Sequence, residues 1–526
     1  MRREPRRRWA GRALAPLAGA VLACSLPGAG LWWLAWTGLV PLLVLLARAH
    51  SYRDAAWLSW AAAVGFFLTA HHWLVPHLGM FTVPALAAVG LLWVPFGLGA
   101  YRVLRPPLSW ARAALGLSFL PCLWVTLEAL RSWKHLGGSW TPLGLGQWRT
   151  PHVLDVAALG GVWLLSALVV AVNVGVAVVV LPGAHGRARL LGGSAALLFV
   201  VAGTVHGALH TASPATGHVR VAGVQPGLVS DSLAEHLRLT DQLTRTTADV
   251  VVWGQSSVAL DPSRRPDVAI GLRRAAESAG GHLLVNVDAQ GPDGRITKST
   301  HHYRPDGVAG TYRKQRLAPF GEYVPLRPLL GPLLGHTDAA RVDRAPGDTP
   351  TLLRVGDVRL GPLISYESTF PDLRRTLTAR GADVTVVQGS LTTFHDTWAQ
   401  RQQASAEAVR AVESGRSTVL VNSSGTSAAF DADGRLLAWV PPTHRGTFTV
   451  SVPLHEGLTP YVRWGDWFPV LATAVTGVTA ALLFVARRPR DIPACPQVVN
   501  ACSQLPYAPS ASGAPPRPRH PHGGGA

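Results

Sequence analysis

The stretch YRKQRLAPFGEYVP (312–325) decides the reading of this chain. A strand-like run ends on a lysine, Lys314, and a turn rich in Pro and Gly follows, carrying Glu322. Two more stretches are built the same way: VVWGQSSVAL (251–260) and LISYESTFPD (363–372) each leave a strand-like run with polar residues at its end. Open α/β sheets assemble their chemistry at such strand ends. Working outward, further strand-like runs lie at 218–225, 282–289, 383–389 and 417–425, and helix-like segments with polar faces at 231–248, 266–279 and 397–414. Residues 209–466 therefore read as an α/β domain lying outside the membrane.

The flanks have a different character. Of the 526 residues 48% are hydrophobic and only 15% charged, so a large part of the chain belongs in lipid. Runs long enough to cross a hydrocarbon core of roughly 30 Å fall at 12–28, 31–48, 57–75, 83–101, 110–130, 160–181, 190–208 and 467–486. This predicts a polytopic α-helical membrane protein of about eight spans, with an N-terminal membrane domain (1–208), one closing helix (467–486) and a disordered tail (487–526). The net charge of +18 does not indicate nucleic-acid binding, because the arginines cluster at the ends of apolar runs. MRREPRRR at the start, Arg102 and Arg105, Arg187 and Arg189, and Arg487 and Arg488 all fall on one side if both termini are cytoplasmic, and the 209–466 domain is then extracytoplasmic. The 131–158 loop, with Arg131, Lys134 and Arg149, is the exception. VLAC at 21–24 loosely resembles a lipoprotein cleavage box, but further apolar helices follow at once, so a retained first helix is the simpler reading. Of four cysteines, Cys24 and Cys122 lie in apolar runs and Cys495 and Cys502 in the tail, so the outer domain has none. His282, His301 and His302 read as loop histidines rather than metal ligands, since no second cluster with ligand spacing follows.

Together the three strand-end stretches resemble the nitrilase superfamily, whose members carry a Glu-Lys-Cys triad on an α-β-β-α sandwich. KQRLAPFGEYVP within a polytopic chain is similar to apolipoprotein N-acyltransferases, the membrane-bound branch of that superfamily. LEALRSW (127–133), GGSWTPLGLGQW (137–148), VAGVQPG (221–227), NSSGTSAAFDADGRL (422–436) and GLTPYVRWGDW (457–467) extend the resemblance in order along the chain. It accounts for the exceptional loop and implies acyl transfer from a phospholipid donor to the amine of a diacylglyceryl-cysteine on a lipoprotein acceptor, at the cell membrane and without a cofactor. Lys314 matches the lysine that stabilises the oxyanion, and Glu322 and Glu367 match the supporting glutamates.

Two positions depart from the family. Where the resemblance implies Trp-Pro-Glu with the general base, the chain has Trp253, Gly254 and Gln255; where it implies Cys-Tyr-Glu with the nucleophile, it has Ser365, Tyr366 and Glu367. A primary amide accepts no proton, and a hydroxyl is a poor nucleophile without a base. Two functions follow as expectations: impaired acyl transfer, with Ser365 as nucleophile and Glu367 or Glu322 as stand-in base, or a degenerate paralogue that binds lipid or lipoprotein or assists an active enzyme. A transporter is disfavoured by the few ionisable residues within the helices.

Overall fold

A computed structural model of the chain describes residues 3–209, 214–243, 248–291, 294–325, 327–331 and 344–485. The expected tail, with Cys495 and Cys502, lies outside them.

Five helical stretches are long and apolar enough to cross a membrane: His72–Leu104, Trp110–Arg131, Leu154–Val180, Gly186–Leu209 and Trp467–Val485. The run expected as one helix at 31–48 is instead a 3-10 turn, Trp32–Trp36, followed by a helix over Val40–Ala47. Pro41 lacks the N–H that a helix interior needs and is accommodated in the first turn, which is where the α-helix begins. Likewise 83–101 is part of a longer stretch broken into pieces, with Pro76 and Pro95 each opening a new one. Glycine brings the first helix, Arg3–Ala23, against Tyr52–Ala70: a Cβ at Gly19 would lie 1.8 Å from the Ala62 carbonyl oxygen, and one at Gly65 2.0 Å from that of Pro16. Small residues permit this backbone approach where lipid offers no hydrophobic drive. Leu190, Leu197, Leu198 and Val205 remain exposed on Gly186–Leu209, a surface fit for lipid.

The α/β half contains thirteen strands among the described residues: β1 (Ala215–Gln225), β2 (Val250–Trp253), β3 (Leu283–Gln290), β4 (Ile296–Arg304), β5 (Gly307–Arg313), β6 (Arg344–Ala345), β7 (Leu353–Val355), β8 (Val358–Ile364), β9 (Val384–Gly389), β10 (Thr418–Asn422), β11 (Ser427–Phe430), β12 (Leu436–Val440) and β13 (Gly446–His455). One sheet runs β13-β1-β2-β3-β4-β5, with β6 on β4; the other runs β12-β11-β10-β9-β8-β7. The period of two sorts their side chains into layers. Val219, Val221, Val250, Val252, Val384, Val386, Val419 and Val421 meet between the sheets. The alternate residues face outward: Val251 and Trp253 pack with Leu272 and Ala276 of helix Pro266–Ser278. Val387 and Leu420 pack with Leu373 of Pro371–Ala379 and Ala408 of Trp398–Ser414. Burial on both faces is why VVVW reads as a continuous apolar run, and the result is the expected α-β-β-α sandwich.

His301 and His302 lie on strand β4 rather than on a loop, and His282 Nδ1 sits 2.9 Å from His302 Nε2. The residues from Ile296 to Arg304 pair antiparallel with β3, a hairpin that GPDG (291–294) announces and that was not read as a strand.

The helix Trp398–Ser414 lies between sandwich and membrane helices with nearly every residue buried. Its Gln402 Oε1 accepts from the indoles of Trp73 (3.0 Å) and Trp140 (2.7 Å), and its amide donates to the Ala70 carbonyl (3.0 Å). At Gly160 and Gly161 the neighbouring membrane helix kinks, and the freed N–H of Val162 donates to Glu413 at 2.7 Å. Glu413 also holds Arg410, whose other contacts are the Thr369 carbonyl and Ser139 of the 131–158 loop. A buried carboxylate with this many donors offsets much of its desolvation.

Candidate active site

Lys314 follows β5 directly, with 1% of its side chain exposed. Its ammonium lies 2.8 Å from Glu322, whose other oxygen accepts from Ala318 N–H at 2.8 Å. Burial alone would raise the Glu322 carboxyl pKa, but the Lys314 and Lys298 ammonium groups outweigh it and leave the pKa below the ordinary carboxylate value.

Ser365 follows β8 at a left-handed φ of 51°. For a residue with a Cβ this costs about 1–2 kcal/mol, and Glu367 holds the turn in place. The Glu367 carboxylate accepts from Ile364 N–H (2.8 Å), Gln315 N–H (2.6 Å), Arg316 N–H (3.1 Å) and the Tyr312 hydroxyl (2.9 Å). This ties the Ser365 turn to the segment just after Lys314. Burial raises the Glu367 pKa more than Lys314 and the three backbone N–H groups lower it. The Ser365 hydroxyl has no hydrogen bond among the described residues, and it is half-buried.

Gln255 lies two residues beyond β2, and its N–H donates to the Gly389 carbonyl at 2.9 Å, linking the two sheets. Ile364 pairs with Gln388, so Gly389 lies alongside Ser365. The structure thus brings the ends of β2, β5 and β8 together around the end of β9. The Gln255 side-chain oxygen is buried and finds no donor. Gly254 leaves no room for a larger residue, since a Cβ there would lie 2.1 Å from Ser423 N. Gln388 crosses the inter-sheet layer, accepting from Thr300 (2.5 Å) and donating to the Trp253 carbonyl (2.7 Å).

The 131–158 loop reaches this site: Tyr366 donates to the Lys134 carbonyl at 3.5 Å, and His135 lies 3.1 Å from the Tyr323 hydroxyl. An aromatic neighbour of each key residue, Ser365 and Glu322, is therefore in contact with the membrane half.

Glu322 and Glu367 are both engaged, the first by an ammonium and an amide, the second by four donors. Neither hydrogen-bonds the Ser365 hydroxyl among the described residues, so the expectation of a stand-in base finds no support in their contacts. The sequence reading missed the neighbours of Gln255. Ser256, also left-handed at φ 55°, lies within hydrogen-bond distance of Lys298 and Asp288, which face each other across the β3–β4 hairpin. The hairpin signal GPDG with polar residues at matched positions on either side was the clue.

The family model described as apolipoprotein N-acyltransferase N-terminal domain matches residues 18–175, and that described as carbon-nitrogen hydrolase matches 220–457. The chain is 32% identical over 508 residues to an apolipoprotein N-acyltransferase of Azotobacter vinelandii, covering 90% of this chain and 95% of that one. It is 30% identical over 522 residues to one of Gloeobacter violaceus, covering 93% and 97%. A solved carbon-nitrogen hydrolase from Helicobacter pylori superposes with a TM-score of 0.36 at 14% identity, covering 52% of this chain and 97% of that one.

Proposed function

Since the chain belongs to the apolipoprotein N-acyltransferase family, we propose that it moves an acyl chain from a membrane phospholipid to the N-terminal amine of a diacylated lipoprotein, slowly. The observation that carries this reading is the pairing of a retained ammonium with a lost base: Lys314 Nζ is held 2.8 Å from Glu322, and Gln255 stands in the base position. A nucleophilic oxygen attacks the donor ester, the Lys314 ammonium stabilises the tetrahedral oxyanion, and collapse releases the lysophospholipid. The lipoprotein amine then attacks the acyl-enzyme. A general base is worth about 10²–10⁴-fold, so transfer through Ser365 is slower by that order. The reading places the protein in the cytoplasmic membrane, with the sandwich on the outer side and both termini inside, as the arginine distribution supports.

A second reading rests on the engagement of Glu322 and Glu367: a degenerate paralogue that holds lipid or lipoprotein, or assists an active enzyme. One assay separates the two. Purified protein given phospholipid and a diacylated lipopeptide yields triacylated peptide above a Lys314→Ala control under the first reading. Product no higher than that control leaves the second.

A further inference from the structure

Ser365 has a strained turn but no carboxylate to serve it. Ser256 has both. Its hydroxyl donates to Asp288 Oδ2 at 3.1 Å and accepts from Lys298 Nζ at 2.6 Å, while the same ammonium lies 2.9 and 2.7 Å from the two Asp288 oxygens. The Ser256 N–H is fixed by Asn286 Oδ1 at 2.8 Å, holding the left-handed turn. Lys298 is 4% exposed; burial lowers its pKa, and the Asp288 and Glu322 carboxylates oppose that. Arg344 also faces Asp288, at 3.5 Å. Ser256 itself is half-buried.

This cluster belongs to the site already described. Ser256 follows Gln255, and the Lys314 N–H donates to the Lys298 carbonyl at 2.9 Å. Lys298 lies within electrostatic range of both Lys314 and Glu322. A carboxylate, an ammonium and a hydroxyl, the last where the family's Glu-Lys-Cys set has a thiol, are therefore assembled one residue from the base position that this chain has lost.

We propose that Ser256 is the acyl-accepting nucleophile of this chain, with Asp288 as its general base and Lys298 holding the pair, acting on a long-chain acyl ester of a glycerophospholipid. The inference rests on the acyl-transfer reading above. In the first half-reaction the Ser256 oxygen forms a bond to the acyl carbon and its proton passes to Asp288. The ester C–O bond of the donor then breaks, and Asp288 returns the proton to the departing glycerol oxygen. In the second, the acceptor amine bonds to the acyl carbon, the serine ester breaks, and the amine proton reaches the Ser256 oxygen through Asp288. Atoms and charge balance without an oxidant or metal.

The test uses the full chain in nanodiscs containing an alkyne-tagged phosphatidylethanolamine, without acceptor, followed by digestion and mass spectrometry. The expected adduct is an oxygen ester on the peptide bearing Ser256, stable to neutral hydroxylamine. Ser256→Ala abolishes it. Ser256→Cys carries the acyl group at the same position as a hydroxylamine-labile thioester, showing that the altered chain still folds. Asp288→Asn slows acylation by about 10²–10⁴-fold. An acyl group on Ser365 overturns the proposal, as does triacylated peptide formed with no covalent adduct in a parallel run supplied with diacylated lipopeptide, while both leave the acyl-transfer reading standing. Neither adduct nor product from the unaltered chain removes both.

Discussion

Two serines sit at the ends of strands in opposite sheets, both left-handed, Ser365 at φ 51° and Ser256 at φ 55°. Their surroundings differ. Glu367 beside Ser365 accepts from three backbone N–H groups and a tyrosine hydroxyl and maintains the turn, whereas Asp288 beside Ser256 accepts from the serine itself as well as from Lys298. Two similar turns thus carry carboxylates with different tasks. A strained hydroxyl near a carboxylate becomes a nucleophile only when an oxygen of that carboxylate is in reach of its proton.

The strongest way to break the contrast is to equip the Ser365 end with what it lacks. Gln255→Glu combined with Ser365→Cys is expected to raise acylation at position 365 by about 10²–10⁴-fold, and to move the acyl adduct from Ser256 to that position. An adduct that stays on Ser256 in that double variant shows that the β8 end no longer receives lipid.

Next in size is the ion pair beneath both ends. Glu322→Gln leaves the Lys314 ammonium buried without its partner, at a cost of about 3–5 kcal/mol, read as a lower thermal unfolding midpoint in detergent at pH 7. The sign with pH follows from the depressed carboxyl pKa of Glu322. Its stabilisation is complete above the unfolded value of about 4.3 and is lost as pH falls through the lower, folded value. The gap between variant and unaltered chain therefore narrows on acidification. A gap independent of pH would mean that Glu322 is not ionised in the fold.

A smaller step concerns the Glu367 carboxylate. Glu367→Gln weakens hydrogen bonds worth about 1.5–3 kcal/mol each when made to a charged group, and is expected to lower the unfolding midpoint without moving the acyl adduct from Ser256. Smallest is the strain itself. Ser365→Gly relieves the left-handed backbone and is expected to stabilise the protein by about 1 kcal/mol. Ser256→Gly gives no such gain, because it also removes the hydrogen bonds to Lys298 and Asp288. Equal gains at both positions would show that the Ser256 contacts contribute nothing.

Much of this was legible in the chain. VVVW, LLVNVDA and DVTVVQG read as strands because burial on both faces leaves a local apolar signature. The positions of Gln255 and Ser365 were legible too, since each closely follows such a run, and Lys314 was legible from its own motif although β5 before it is mostly not buried. The strand Ile296–Arg304 was not read, because its polar ITKSTHHY is apolar on neither face and becomes a strand by pairing with β3. The run at 31–48 misled for the opposite reason: apolar composition reports lipid compatibility, and Pro41 determines where the helix begins.

The sequence by itself determined the membrane character, the sandwich and the identity of the groups at the three strand ends, because hydropathy, periodicity and residue type are properties of neighbours along the chain. Only the tertiary structure decided which carboxylate serves which hydroxyl. Glu367 lies two residues from Ser365 and is taken by donors from Gln315 and Arg316, about fifty residues away. Asp288 lies thirty-two residues from Ser256 and reaches its hydroxyl. Hydrogen-bonding capacity is finite and is filled by whatever the fold brings near, so chemical role follows from spatial proximity rather than from sequence spacing.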